Sequence, residues 1–123
     1  MLIDQKTLDE VMAKHPALTA NGFAEGEPVD LGQVDLAMRW LEYHGRRATI
    51  NPKFSSYGLK HLAEKTTTAL RPGAVPYISN GAFIAAAVHL GYRVSRIRNT
   101  PNVCLNFSYN DKNQKTLLGE LNK

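Results

Sequence analysis

The segment from Tyr77 to Ser108, YISNGAFIAAAVHLGYRVSRIRNTPNVCLNFS, constrains the fold of this chain more than any other. It begins with a serine suited to a helix N-cap, continues through small and apolar residues, and reaches a glycine at position 91. Beyond that glycine, polar and apolar residues alternate on both sides of the turn Asn-Thr-Pro-Asn, as in half-buried strands. The segment therefore predicts a helix over 80–90 and a β-hairpin over 92–98 and 103–109.

Capping residues and apolar periodicity predict three more helices before this segment. Asp4 is a candidate N-cap, and the apolar residues around it occupy the positions of a hydrophobic staple. Asp30 is a second candidate N-cap, and Gly45 is expected to end that helix in a left-handed conformation. Gly58 weakens the third helix, which indicates a close packing contact there. The predicted helices cover residues 4–14, 31–44 and 56–65, with an extended segment over 46–54 and a loop over 66–76.

This order predicts an α+β fold, mostly α with a small antiparallel β-hairpin. Three to four helices followed by a hairpin with a basic tip is the order of a winged helix-turn-helix. The length of 123 residues fits a single domain. Within it we distinguish an acidic N-terminal helix and loop over 1–30, a winged-helix-like core over 31–109, and a C-terminal tail over 110–123.

Two features argue against a winged helix-turn-helix, and the second also argues against sequence-specific reading of DNA. The connection from Thr66 to Ile78 is longer than the short turn of a standard helix-turn-helix. The helix over 80–90 contains no Arg, Lys or Gln, and its polar side chains are Asn80 and His89. We expect His89 to be a partly buried packing residue, whereas the alanines of this helix can admit a helix of another protein.

The charge is distributed unevenly along the chain. Residues 1–42 hold eight acids and three bases, whereas residues 43–110 hold nine bases and one acid, Glu64. Such asymmetry is typical of a surface that binds a polyanion. For His61 the sequence leaves open a contact to phosphate, a pair with Glu64 three residues later, or a plain surface position. The predicted contacts to nucleic acid or to a partner are Arg46, Arg47, Lys53, Lys60, His61, Asn80, Arg93, Arg96 and Arg98.

Three stretches, SSYGLKHLAE, YISNGAFIAAAVHLGY and PNVCLNF, occur in this order between about residues 50 and 108. In this arrangement the segment resembles small uncharacterised proteins of bacterial plasmids, phages and integrated elements. The resemblance covers about half of the chain and assigns no catalytic residue. It implies a mobile-element setting, in which compact proteins often bind DNA or block host defence complexes, as anti-CRISPR proteins do.

Motifs with a catalytic or metal-binding mechanism are missing from the sequence. The four histidines are dispersed without HExxH or paired cysteines, and neither GxGxxG nor a P-loop is present. We therefore expect no enzyme, no metal and no cofactor. A single cysteine, Cys104, fits a reducing compartment, and no apolar run is long enough for a membrane span. We expect a cytoplasmic protein that does not enter the membrane.

These observations lead to two hypotheses from different classes. In the first, a winged-helix-like protein binds DNA or RNA by contacting phosphates through a basic face. In the second, a non-enzymatic inhibitor or adaptor, anti-CRISPR-like or otherwise anti-defence, docks on a host protein or ribonucleoprotein complex. The second hypothesis assigns its contacts to the basic and alanine-rich surfaces, with the acidic N-terminal part as a second contact.

Overall fold

The computed structural model describes residues 2–70, 73 and 76–119, which form five helices and a three-stranded antiparallel sheet. The protein is therefore an α+β protein. The elements in chain order are α1 Gln5–Lys14, α2 Leu31–Leu41, β1 Gly45–Ser55, α3 Ser56–Leu70, α4 Asn80–His89, β2 Val94–Arg96, β3 Val103–Ser108 and α5 Asp111–Gly119.

The predicted helix starts are confirmed by their caps. Asp4 accepts a hydrogen bond from the backbone N–H of Thr7 at 2.8 Å, which begins α1. Asp30 accepts from the N–H of Gln33 at 3.0 Å, which begins α2. These side chains satisfy backbone donors that lack a partner within the helix. Each of these two caps therefore depends on a contact between residues only three positions apart in the sequence.

The end of α2 and the length of α3 differ from the prediction. Gly45 is the first residue of β1 rather than a left-handed cap, because α2 already ends at Leu41. The loop predicted from residue 66 is wrong, because α3 continues to Leu70. The hydroxyls of three consecutive threonines donate to carbonyls four residues earlier, so these β-branched residues fit the helix: Thr66, Thr67 and Thr68. The part of the predicted loop over 71–72 and 74–75 lies outside the described residues.

The predicted hairpin is confirmed, and it belongs to a larger sheet. Strands β2 and β3 pair antiparallel, with Val94 opposite Leu105. The segment predicted only as extended is a strand, β1, which pairs antiparallel with the other side of β3. Asn106 on the central strand accepts from the backbone N–H of Arg93 at 2.7 Å and donates to the carbonyl of Arg47 at 3.0 Å. Its side chain therefore connects all three strands.

Helix α4 is the centre of the core. Every residue from Asn80 to Ala87 is buried, because α1, α2 and α3 all pack against this helix. A helix that is apolar all round is typical of such a central position. The prediction that its alanines form an exposed docking face is therefore wrong. His89 lies at the exposed end of α4, so its prediction as a partly buried residue is also wrong.

The predicted C-terminal tail contains a helix, α5, that is attached to the core by a buried polar network. Gln114 on α5 accepts hydrogen bonds from the indole N–H of Trp40 and from His44, both at 3.2 Å. The amide of Gln114 donates to the hydroxyl of Thr66 at 2.8 Å. The backbone N–H of Asn110 donates to Nδ1 of His44 at 2.9 Å, so the neutral ring carries its proton on Nε2.

We expect this network to make stability depend on the protonation of His44. Burial lowers the pKa of His44 below 6.5, and its hydrogen bond with Gln114 opposes only part of that shift. The unfolded chain therefore binds a proton on this histidine at a higher pH than the folded protein does. The stabilisation is complete above about pH 6.5 and is lost as the pH falls through the lower folded pKa.

The measurement is urea unfolding of the wild type and of His44→Gln at about pH 7.5 and 5.5. We expect the wild type to lose more stability than the variant on acidification, because both proteins retain the other three histidines. An equal loss in the two proteins would contradict a role for His44.

Candidate functional site

Six of the nine predicted contact residues are exposed bases, which together we call the basic surface. Two lie near the start of β1, one near the end of β1, and three on or beside the hairpin. They are Arg46, Arg47, Lys53, Arg93, Arg96 and Arg98. Exposed guanidinium and ammonium groups of this kind contact phosphate oxygens in nucleic acids.

Two arginines of the basic surface are held against backbone carbonyls where β1 meets the end of α4. Arg46 donates to the carbonyls of Leu90 at 3.4 Å and Gly91 at 3.2 Å. These carbonyls follow the C-terminus of α4, where a cation interacts favourably with the helix dipole. Arg93 donates to the carbonyl of Ala48 on β1. Both guanidinium groups are thus held in place while their side chains remain exposed.

The hairpin end of the basic surface contains Arg96 and Arg98. The guanidinium of Arg96 lies 4.8 Å from the ring centroid of Phe23, in the loop between α1 and α2. The backbone N–H of Phe23 donates to the carbonyl of Pro101 in the hairpin turn at 3.0 Å. The N-terminal loop therefore packs beside the hairpin tip and leaves Arg98 exposed.

Among the described residues, no carboxylate forms an ion pair with a base of this surface. The ion pairs formed within residues 2–70, 73 and 76–119 join Arg39 with Asp35, Lys115 with Asp111, and Glu64 with Lys60 and His61. None of them includes a residue of the basic surface. Uncompensated charge of one sign raises the local concentration of oppositely charged ligands.

Two predicted contact residues, Lys60 and Asn80, lie inside the protein instead. Lys60 is 4% exposed and forms an ion pair with Glu64 at 3.5 Å. Asn80 is 7% exposed and accepts a hydrogen bond from the hydroxyl of Ser56 at 2.8 Å. Neither residue belongs to the exposed basic surface, because each is enclosed by elements distant in sequence.

His61 is partly exposed and forms the pair with Glu64 that its spacing predicts. The distance between Nδ1 of His61 and a Glu64 carboxylate oxygen is 2.9 Å, with the imidazole about half exposed. Glu64 also accepts the backbone N–H of Ile78 at 2.9 Å. The carboxylate therefore connects α3 to the segment that leads into α4.

Sequence reasoning missed two tyrosines beside these residues. Tyr57 and Tyr77 are the two most exposed large apolar side chains among the described residues. Their rings lie 5.2 Å and 4.8 Å from the Nζ atom of Lys60. The spacing of Tyr57 and Lys60 by three residues on a helix was a usable signal, because such residues are neighbours on its surface. The contact with Tyr77 had no local signal.

One cavity of the described structure lies apart from the predicted contact residues. A cavity of about 260 Å³ lies between α2, α3 and α5 and is lined partly by Trp40, Tyr43 and Leu70. None of the nine predicted contact residues lines this cavity. In the part of the chain that the structure describes, no cluster of three or more His, Cys, Asp or Glu side chains could hold a metal ion.

Comparison of the chain with family models, with curated proteins and with solved structures finds no match. Across the described residues, no helix is both long enough and apolar enough to span a lipid bilayer. The function is therefore proposed from the side chains of this chain itself.

Proposed function

We propose that the protein binds DNA or RNA through the basic surface, mainly by contacting phosphates. The observation that carries this proposal is the group of six exposed bases with no carboxylate partner among the described residues. Phosphate contacts position a protein on nucleic acid without reading its sequence. Binding should therefore vary little with sequence and strongly with salt.

We further propose that the part from α2 to β3 is a winged-helix unit. In support, its elements follow the order helix, strand, helix, helix, strand, strand, and β3 lies between β1 and β2. In helix-turn-helix proteins the second helix of the pair enters the major groove. The corresponding helix here, α4, is buried from Asn80 to Ala87. We therefore assign the contact to β1 and the hairpin rather than to this helix.

The test is a triple variant of the least constrained bases, Arg47→Gln, Lys53→Gln and Arg98→Gln. Duplex and single-stranded DNA are titrated at several salt concentrations. If all three bases contact phosphates, affinity falls for every sequence, and the salt slope decreases by about 0.9 per lost duplex contact. The smaller per-contact value of about 0.7 applies to the single strand.

The matched control removes the same charge elsewhere, with Lys6→Gln, Lys14→Gln and Lys112→Gln. These lysines are also exposed, but they lie on α1 and α5. We expect the control to keep most of the affinity and the original slope. Equal losses in the two triple variants would show that net charge, and not the basic surface, determines binding.

The inhibitor or adaptor function stays an alternative hypothesis, but it loses one of its surfaces. Ala82, Ala85 and Ala86 are fully buried, so α4 offers no face for docking. Exposed carboxylates remain on α1 and in the following loop, including Asp9, Glu10 and Glu25. That acidic part has no structural feature that identifies a partner.

A further inference from the structure

Two tyrosines are more exposed than the other large apolar residues that the structure describes. Tyr57 is 51% exposed and Tyr77 is 58% exposed, whereas the other large apolar side chains of the described residues are mostly buried. They come from different elements, since Tyr57 lies in the first turn of α3 and Tyr77 precedes α4. The fold therefore brings together two rings that are separate in sequence.

The two rings are neighbours around one cation. The Nζ atom of Lys60 lies 5.2 Å from the ring centroid of Tyr57 and 4.8 Å from that of Tyr77. Both distances are within the range of a cation–π interaction. His61 also contacts Tyr57 edge-on, with ring centroids 4.5 Å apart and an interplanar angle of 88°. These contacts hold the rings before any ligand arrives.

Glu64 positions this cluster. Its carboxylate accepts from Lys60 at 3.5 Å, pairs with His61 at 2.9 Å, and accepts the backbone N–H of Ile78 at 2.9 Å. Because Ile78 follows Tyr77 directly, the second tyrosine is tied to α3 through this carboxylate. The inward contacts of the two rings are explained by shielding of the Lys60–Glu64 ion pair from water. This shielding does not account for the rest of the rings, because more than half of each tyrosine remains in solvent.

The cluster lies where the basic surface ends. Strand β1 carries Arg46 and Arg47 near its start beside α4 and Lys53 near its end, and it passes directly into α3 at Ser56. Two register shifts bulge β1, so that Arg46 lies opposite Phe107 and Ser55 opposite Cys104, positions only about 10 Å apart along β3. A nucleic-acid strand that follows the bases of β1 is thereby led toward Tyr57.

We infer that Tyr57 and Tyr77 form a stacking platform for unpaired bases of a single strand whose phosphates contact the basic surface. This inference rests on the proposed function and specifies its ligand class. Exposed aromatic rings beside a cationic groove are how proteins bind single strands without reading sequence. In a duplex the base faces are already stacked on each other, so the platform favours single-stranded over double-stranded ligands.

The experiment compares a thymidine oligomer of about 16 nucleotides with an abasic strand of equal length and charge, by fluorescence anisotropy. We expect the wild type to bind the thymidine strand at least about tenfold more tightly than the abasic strand. The variant Tyr57→Leu, Tyr77→Leu should lose this preference and keep its affinity for the abasic strand. The matched control Tyr57→Phe, Tyr77→Phe retains the rings and should retain the preference.

A second measurement keeps the inference testable if the leucine variant folds poorly. A strand containing 5-bromouracil, irradiated with the wild-type protein, should crosslink to Tyr57 or Tyr77, as identified by mass spectrometry. Crosslinks confined to other residues would overturn the inference.

The outcomes separate the inference from the proposed function. If the wild type binds both strands equally and the triple variant of Arg47, Lys53 and Arg98 weakens both, the phosphate contacts stand and the platform does not. If neither strand nor duplex binds, the proposed function fails and the inference with it. Binding of a polyproline peptide without binding of thymidine strands would overturn the inference in favour of a protein ligand.

Discussion

Replacing Gly81 with alanine is expected to reduce the free energy of unfolding by about 3 kcal/mol or more. A Cβ atom at this position would lie 1.6 Å from the carbonyl oxygen of Thr19 and 2.6 Å from its carbonyl carbon. These are backbone atoms of the loop between α1 and α2, so no side-chain rotation relieves the overlap. The N–H of Gly81 also donates to the carbonyl of Ala20 at 3.0 Å, which the displaced loop would lose.

The matched control is Gly58→Ala in α3. A Cβ atom there meets only the hydroxyl of Ser55 at 3.6 Å, an ordinary contact, so the close packing predicted for Gly58 is wrong. Because alanine has a higher helix propensity, we expect this variant to be about 0.5–1 kcal/mol more stable than the wild type. Urea unfolding followed by the fluorescence of Trp40, which is 3% exposed, measures both variants. Wild-type stability of Gly81→Ala would show that the loop does not pack on α4.

The second large effect is expected at Asn80, which joins four parts of the chain. Its amide nitrogen donates to the carbonyl of Asn21 at 3.1 Å and to the side chain of Asn102 at 2.9 Å. Its oxygen accepts from Ser56, whose hydroxyl in turn accepts the N–H of Val103 at 3.1 Å. The loop after α1, the hairpin turn, α3 and β3 therefore all meet at the start of α4.

We expect Asn80→Ala to cost about 2–3 kcal/mol, because the variant loses one buried and two partly buried hydrogen bonds that connect distant segments. The variant that remains folded should bind nucleic acid as the wild type does, since Asn80 is not part of the exposed basic surface. The control His89→Ala, at the exposed end of the same helix, should change stability by less than about 0.5 kcal/mol. A fully stable Asn80→Ala protein with weakened binding would instead support its prediction as a contact residue.

The alternation that indicated the hairpin also specifies which face of β3 is buried. Val103, Leu105 and Phe107 are fully buried, whereas Cys104 between them is partly exposed. Successive side chains of a strand point to opposite faces, so this pattern follows from the sequence alone. The partner β1 does not follow from it. Its residues are mostly exposed and include Pro52, so periodicity could not reveal that it pairs with β3.

The residues of the candidate site likewise divide into those that could be identified from the sequence and those that could not. The six bases of the basic surface could be identified from charge alone, because an exposed base stays solvated whichever elements pack nearby. Lys60 and Asn80 could not be excluded from sequence, because their burial depends on residues far along the chain. The amide of Asn80, for example, bonds to a residue 59 positions away.

The local elements follow from the residue pattern: the N-caps at Asp4 and Asp30, the glycine with positive φ at position 91 after α4, and the hairpin. Each depends on interactions within a few residues, which propensity and capping describe. Three features could not be predicted in this way: the burial of α4 from Asn80 to Ala87, the docking of α5 through Gln114, and the meeting of Tyr57 and Tyr77 around one lysine. These features depend on contacts between distant segments, such as the hydrogen bond that joins Trp40 and Gln114 across 74 positions. Burial of this kind depends on how the elements pack together, so it cannot be predicted from local sequence patterns.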